Sequence, residues 1–198
     1  ERLPSLPPRR PAARGATVAG RPAMDNAGRA RLDRPMTRER DAIIVGGGLN
    51  GPAMALALAE AGLRVTLVDA LPAEVRADPE FDGRAYNISL GSRRFLEVIG
   101  VWPAVAAEAQ PVSRIVIEDA RPGEIAARAP LHFDHAELDD GPASQILEDR
   151  FLRRALLSAT LAHPRIETRA PLRIAETRFD DARAEAVTEA GEVLRAPV

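Results

Sequence analysis

The stretch DAIIVGGGLNGPAMALALAEAGLRVTLVD, from Asp41 to Asp69, decides the fold. Ala42, Ile43, Ile44 and Val45 form a short apolar run of the kind buried in a parallel sheet. Gly46, Gly48 and Gly51 follow it directly as G-x-G-x-x-G. Asn50 to Ala61 is rich in Ala, Leu and Met, a helix-forming composition, and Gly62 can end that helix as a left-handed residue. Val65 to Val68 is a second strand, and Asp69 closes the stretch. Strand, glycine turn, helix, strand and terminal acid stand in the order of a βαβ unit.

Each part has a task in binding an adenine dinucleotide. Gly46 permits the tight turn, Gly48 lets the backbone approach a pyrophosphate, and Gly51 lets the helix pack closely on the strand. The helix N-terminus offers unpaired N–H groups and a partial positive charge to the phosphates. Asp69 lies 18 residues beyond Gly51, where an acid can accept hydrogen bonds from an adenosine ribose. This chemistry serves FAD and NAD alike, so the motif alone leaves the cofactor open.

Composition narrows the field from another side. All 27 basic residues are Arg. Residues 1–40 hold 10 Arg against 4 acids, whereas residues 41–198 hold 17 Arg against 25 acids. The part expected to fold is therefore acidic, which speaks against nucleic acid as a partner. Cysteine is absent, excluding disulfides, thiolate metal sites and cysteine nucleophiles, and a cytoplasmic setting is expected. No apolar run approaches the ~20 residues of a membrane-spanning helix.

Residues 1–40 contain six prolines and no sustained apolar periodicity, so a disordered Arg/Pro-rich extension is expected. A transit peptide should be amphipathic and serine-rich, and Ser5 is the only serine here; upstream or non-native sequence before a start at Met36 or Met24 is favoured. The chain opens on Glu1 and closes in the apolar run Val193–Val198, and the expectation is a fragment.

Downstream, Leu71 to Gly83 reads as a polar connection carrying prolines. Ser92 is placed to cap a helix with the stripe Phe95, Leu96, Val98 and Ile99, ended by Gly100 and Pro103. Arg84 stands on the loop just beyond the nucleotide-binding unit. Val112–Glu118 alternates as a strand, and Pro130–Phe133 begins another, which makes an inserted β-meander over 112–137. His132 and His135 would point to opposite faces of such a strand, so no metal site is expected from them and Asp134. Glu148 to Leu161 is a second helix, with Phe151, Leu152, Ala155, Leu156 and Ala159 on its packed face. Arg150 lies in its first turn, where a cation opposes the helix dipole unless an anion compensates: a pyrophosphate, Glu148 or Asp149. Arg165–Thr168 starts a strand, and Leu172–Phe179 and Ala184–Val198 resemble paired strands around a turn at Ala190-Gly191.

Three stretches together resemble a known family: AIIVGGGLNGPAMALALAEAGLRVTLVD, DGRAYNISLGSRRFLEVIGVW and LHFDHAELDDGPASQILEDRFLRRALL. The family is that of the FAD-dependent aromatic hydroxylases of ubiquinone biosynthesis, flavoprotein monooxygenases related to para-hydroxybenzoate hydroxylase. The resemblance spans roughly residues 40–198, and the second stretch is its specific part. It implies an α/β fold: an incomplete Rossmann-like FAD-binding domain over 41–198, with strands at 112–137 from the substrate domain. It further implies that Gly46, Gly48 and Gly51 meet the FAD pyrophosphate, that Asp69 takes the ribose, and that Arg84 and Arg150 lie against the cofactor. FAD reduced by NAD(P)H would use O2 to hydroxylate the ring of a polyprenyl phenol. Such a lipid-tailed substrate is compatible with peripheral contact with the inner membrane or a ubiquinone-biosynthesis complex.

Family members are about twice as long and carry an Asp-Gly and a Gly-Asp segment further on, so the chain is expected to be an N-terminal piece, inactive alone. The cofactor carries the hard chemistry, and no catalytic acid or base is assigned. Two other readings stay open on the residues alone. One is a different FAD- or NAD-dependent oxidoreductase sharing the βαβ unit; the other is a non-catalytic, truncated nucleotide-binding remnant.

Overall fold

In a computed structural model that describes residues 40–118, 131–134 and 141–197, the βαβ stretch forms as its sequence pattern demands. In chain order come β1 (Ala42–Val45), α1 (Asn50–Glu60), β2 (Val65–Val68), the single-turn α2 (Ala73–Arg76), β3 (Ala85–Ser89) and α3 (Leu90–Val98). Two 3₁₀ turns, Trp102–Ala104 and Ala106–Glu108, lead to β4 (Gln110–Pro111) and β5 (Arg114–Ile117). There follow β6 (Leu131–Asp134), β7 (Ser144–Glu148), α4 (Asp149–Ala162), β8 (Ile166–Arg169), β9 (Ile174–Phe179), β10 (Arg183–Thr188) and β11 (Val193–Pro197). Apart from Arg40, the extension expected over residues 1–40 lies outside the described residues, and so does His135.

β1, β2 and β8 form a parallel sheet in the order β1-β2-β8, with Ala42 opposite Val65 and Val65 opposite Ile166. Parallel neighbours need crossovers, and α1 and α4 supply them. Both helices press their apolar sides on the sheet: Ala55, Leu56 and Ala59 from α1, and Leu152 and Leu156 from α4, share one core with Val65, Leu67 and Ile166. β2, central in this sheet, is buried at every position. β1 is less enclosed than its apolar run suggests, because it ends the sheet among the described residues; Val45 is 54% exposed.

A second layer extends the core. β3, β7 and β4 pair antiparallel in the order β3-β7-β4, and Ile88, Leu147, Leu96, Ile99, Val101, Trp102 and Val105 bury against α1 and α4. β5 and β6 make a separate two-stranded antiparallel ladder, with Ile115 opposite Phe133 and Ile117 opposite Leu131. β9, β10 and β11 form an antiparallel sheet in the order β11-β10-β9, whose last hairpin turns at Ala190-Gly191 with Gly191 at φ 83°.

Three expectations are corrected. The helix after Arg84 is capped by Ser89, not Ser92: the Ser92 N–H donates to Ser89 Oγ at 3.2 Å. The residues before Ser89 are committed to β3 by pairing with β7, so the helix starts one turn earlier than the sequence suggests. Of its expected stripe, Leu96 and Ile99 are buried, whereas Phe95 and Val98 are 41% and 76% exposed. Leu71–Gly83, expected as a polar connection carrying prolines, includes the single helical turn α2 at Ala73–Arg76 and buries Arg76.

The β8 end of the parallel sheet is fastened to the β10–β11 turn by a bidentate pair, Arg169 Nη1 and Nη2 donating to Glu192 Oε1 and Oε2, each at 2.7 Å. Hydrogen bonding from Arg169 lowers the Glu192 carboxyl below its ordinary 4.5. The N–H groups of Ala182 and Arg183 lower Asp180 below its ordinary 3.8. Folded values below unfolded ones mean stabilisation that is complete above the unfolded values and disappears as pH falls through the folded ones. The chain is expected to lose stability on acidification from about pH 5 toward about pH 3, and Glu192→Gln to flatten that slope. Unfolding midpoints across the acid range check this, and an unchanged slope in the variant refutes it.

Candidate functional site

The glycine turn is built by steric need. Gly46 takes φ 114°, a conformation side chains disfavour, and its N–H donates to Val68 O at 2.7 Å, closing the turn on β2. A Cβ on Gly51 would overlap the Gly46 carbonyl and lie 3.4 Å from Ile44 Cγ2, so glycine there is what allows α1 to lie against β1. A Cβ on Gly48 would meet nothing within 4 Å, because this residue faces open space beside the start of α1. That helix has no side-chain cap, so its first-turn N–H groups, apart from Pro52, which has none, are available to a ligand.

At the end of β2, Asp69 accepts the Gly47 N–H on Oδ2 and the Leu71 N–H on Oδ1 at 2.7 Å. Its side chain is 13% exposed and lies 3.8 Å from Arg76 Nε. The acid is therefore fixed beside the turn, on the side where the motif places a ribose.

Across from the turn opens a cleft of about 560 Å³, a size suited to a small-molecule ligand. Gly48, Leu49 and Asn50 form one wall, and Arg84, Tyr86 and Ile88 of β3 and its entry another. Asp149, Arg153 and Leu152 of α4 form the floor. Antiparallel pairing of Ala85 with Glu148, and the Asp149 N–H donating to Arg84 O at 3.0 Å, bring Arg84 and Asp149 together.

Asp149 is the hub of this cleft. Only 2% exposed, it accepts the Tyr86 hydroxyl at 3.1 Å, Arg153 Nε at 2.8 Å and Arg84 Nη2 at 3.4 Å. Burial, then the hydrogen bond to Asp149, pushes the Tyr86 phenol above its usual range. Hydrogen bonding to Asp82, with the Asp149 charge behind it, keeps Arg84 firmly cationic. Arg84 is 58% exposed and so can reach a ligand.

The structure thus groups Gly48 and Arg84 in the cleft, with Gly46 and Gly51 shaping the turn and Asp69 beside it. Arg150 does not line this cleft. Its Nε donates to Glu148 at 2.7 Å, Nη1 donates to Pro79 O at 3.3 Å, and the guanidinium lies over the Phe81 and Phe151 rings. Glu148 therefore supplies the anion that offsets this cation against the helix dipole. The arginine of α4 that lines the cleft is Arg153. Sequence reasoning missed Arg153 and Asp149, although their i, i+4 spacing on one helix face was a usable signal. Tyr86 lies within the stretch DGRAYNISLGSRRFLEVIGVW without being singled out there, and no local pattern announced Arg76. Among the described residues no cluster of His, Cys, Asp or Glu could hold a metal ion, and no helix is long and apolar enough to cross a membrane.

A closed glycine turn, an open helix N-terminus, an acid at the end of the second strand and an arginine-lined cleft define a dinucleotide-binding α/β protein. The FAD binding domain family matches residues 39–193, and the chain belongs to that family, whose cofactor is FAD. It is 34% identical over 157 residues to the ubiquinone hydroxylase UbiL of Rhodospirillum rubrum, a match covering 79% of this chain and 35% of that protein. It is 38% identical over 156 residues to the 3-demethoxyubiquinol 3-hydroxylase of Escherichia coli, covering 77% of this chain and 38% of that one. The chain therefore spans little more than a third of the length of these relatives. Its fold is similar to that of p-nitrophenol 4-monooxygenase PnpA from Pseudomonas putida, with a TM-score of 0.58 at 21% identity over 80% of this chain and 38% of that one.

The residues fit FAD. Gly48 leaves room for a phosphate at an uncapped helix N-terminus, Asp69 offers acceptors for hydroxyl groups, and Arg84 offers a cation at the cleft mouth. Asp69→Asn is expected to weaken FAD binding by about 1–3 kcal/mol, since it removes charge-assisted hydrogen bonds. Titration of flavin fluorescence measures this, and an unchanged affinity would sink the ribose role of Asp69.

Proposed function

We propose that this chain is the FAD-binding part of a flavin-dependent aromatic hydroxylase that acts on a polyprenylated phenol precursor of ubiquinone, using NAD(P)H and O2. Identity of 38% over 156 residues to a 3-demethoxyubiquinol 3-hydroxylase carries this reading. The polypeptide from Asp41 onward forms a Rossmann-like, incomplete FAD-binding domain. β5 and β6, within the stretch 112–137, belong to the substrate-binding side, where Ile115, Ile117, Leu131 and Phe133 offer an apolar face suited to a polyprenyl chain.

Bound FAD would supply the redox and oxygen chemistry, and the residues here do the holding. Gly46 and Gly51 shape the turn, Gly48 admits the pyrophosphate, and Asp69 takes the ribose hydroxyls. Arg84 and Arg153 face the anionic cofactor from the cleft, held in place by Asp149. Arg150 supports this arrangement from outside, through Glu148 and the Phe81 ring. Peripheral membrane contact and docking to partner enzymes would follow from the lipid-tailed substrate.

The test is complementation. A bacterial strain lacking a ubiquinone ring hydroxylase should regain ubiquinone when a full-length protein containing this chain is expressed, and Gly48→Val within it should abolish the rescue. Purified protein should bind FAD in preference to NAD. Preference for NAD, or rescue by Gly48→Val equal to that of the unsubstituted protein, would overturn the proposal.

A further inference from the structure

Arg76 is the most unusual side chain outside the cleft. It sits in the last position of α2, is 5% exposed, and its Nε and Nη2 have no hydrogen-bond partner among the described residues. Nη1 reaches Gly47 O only at 3.5 Å. Such a guanidinium is expensive to bury without an anion, and the one beside it is Asp69, with Oδ1 3.8 Å from Nε.

Four observations tie this arginine to the ribose acid rather than to general packing. The Asp69 carboxylate is gripped from three segments: the Gly47 N–H in the turn, the Leu71 N–H beyond β2, and the Arg76 charge on α2. Position 47 must be glycine for the same reason, since a Cβ there would collide with Arg76 Nη1 and lie 2.8 Å from Asp69 Cβ. The main chain of Arg76 is anchored in turn, its carbonyl accepting Arg153 Nη1 at 2.9 Å. Arg153 also donates to Asp149, so one run of contacts connects Asp69 to the hub of the cleft.

We propose that Arg76 is a positioning residue for the dinucleotide's adenosine half. Resting on the reading of Asp69 as the ribose acid, this inference makes Arg76 act through it. The buried guanidinium holds the carboxylate in one orientation against the glycine turn, so that its remaining lone pairs face the ribose hydroxyls. A carboxylate free to rotate would have to be ordered on binding, and preorganisation removes that loss.

The experiment is a double-mutant cycle on the unsubstituted chain, Arg76→Met, Asp69→Asn and the double variant. The probes are ADP, which carries the adenosine half alone, and FAD, with melting temperatures recorded alongside. Arg76→Met should weaken ADP and FAD binding about 10-fold when Asp69 is present, and less than about 2-fold when Asn stands at 69. Equal losses in both backgrounds would assign Arg76 to general stability, and no loss with Asp69 present would remove it from the site; either overturns the inference. If Arg76→Met does not fold, Arg76→Lys runs the same cycle. Lysine keeps the charge without the planar fork and should lose about 3-fold, again only with Asp69 present. Failure of the unsubstituted chain to bind ADP, or wild-type affinity in Asp69→Asn, would instead overturn the ribose reading itself and this inference with it.

Discussion

Gly51→Ala is expected to destabilise the protein by about 3 kcal/mol, the upper end of what overpacking costs, and to abolish FAD binding as a consequence. The added methyl would overlap the Gly46 carbonyl oxygen and stand 3.0 Å from its carbon. These are backbone atoms, and they cannot swing aside. Gly46 is already fixed by its N–H donating to Val68 O and by φ 114°. Strain is relieved only by lifting α1 from β1, which uncovers Ala55, Leu56 and Ala59 in the shared core. Gly48→Ala, three residues away, is the informative contrast. Its methyl meets nothing within 4 Å, so stability should change by less than about 0.5 kcal/mol. The same methyl points where a phosphate would approach, and FAD affinity should fall by about 10-fold or more, a loss near 1.4 kcal/mol. Denaturant titration and flavin binding on the two variants separate the roles. If Gly48→Ala binds FAD like the unsubstituted chain, the pyrophosphate does not pass over Gly48.

How much of this was legible in the sequence depended on whether a residue's role is set locally. β1, α1 and β2 could be read because glycine spacing, helix composition and a β-branched run each act within a few residues. The cap of α3 could not, because β7 is the partner that turns residues 85–89 into a strand, and it lies over fifty residues downstream. Ser92 is placed to cap the helix on local grounds, and Ser89 is the cap in fact. Arg150 attracted notice for sitting against a helix dipole, yet its own neighbour Glu148 answers that charge. Arg153, one helical turn further, faces the cleft because Asp149 draws it there. Asp149 was signalled only by its i, i+4 spacing to Arg153. A carboxylate at a helix start reads as an ordinary dipole partner, and its burial arises only when β3 pairs with β7 and brings Tyr86 and Arg84 over it. Arg76 was hidden for the same kind of reason: a polar stretch with prolines says loop, and only the fold of α2 against the turn makes its arginine interior.

Asp149→Ala should therefore be the most damaging change outside the glycine turn, at about 3 kcal/mol or more, in the range measured when one partner of a buried ion pair is removed. Three donors would lose their acceptor together. Arg153 is 15% exposed and could not exchange Asp149 for bulk water without moving. The Tyr86 hydroxyl would be stranded beside it, while Arg84, already held by Asp82 and 58% exposed, would suffer least. Arg84→Ala makes the opposite demand. As an exposed ion-pair partner it should contribute less than about 1 kcal/mol to stability, yet its loss removes a cation from the cleft mouth and should weaken FAD binding. The two variants should consequently fall on different axes, Asp149→Ala on the unfolding curve and Arg84→Ala on the binding isotherm. Thermal unfolding and FAD titration of both, with Asp149→Asn as the variant that keeps shape but not charge, decide the matter. If Asp149→Ala melts with the unsubstituted chain while FAD affinity collapses, the carboxylate serves the ligand and not the fold. The buried hub would then have to be read as part of the binding surface rather than as the support beneath it.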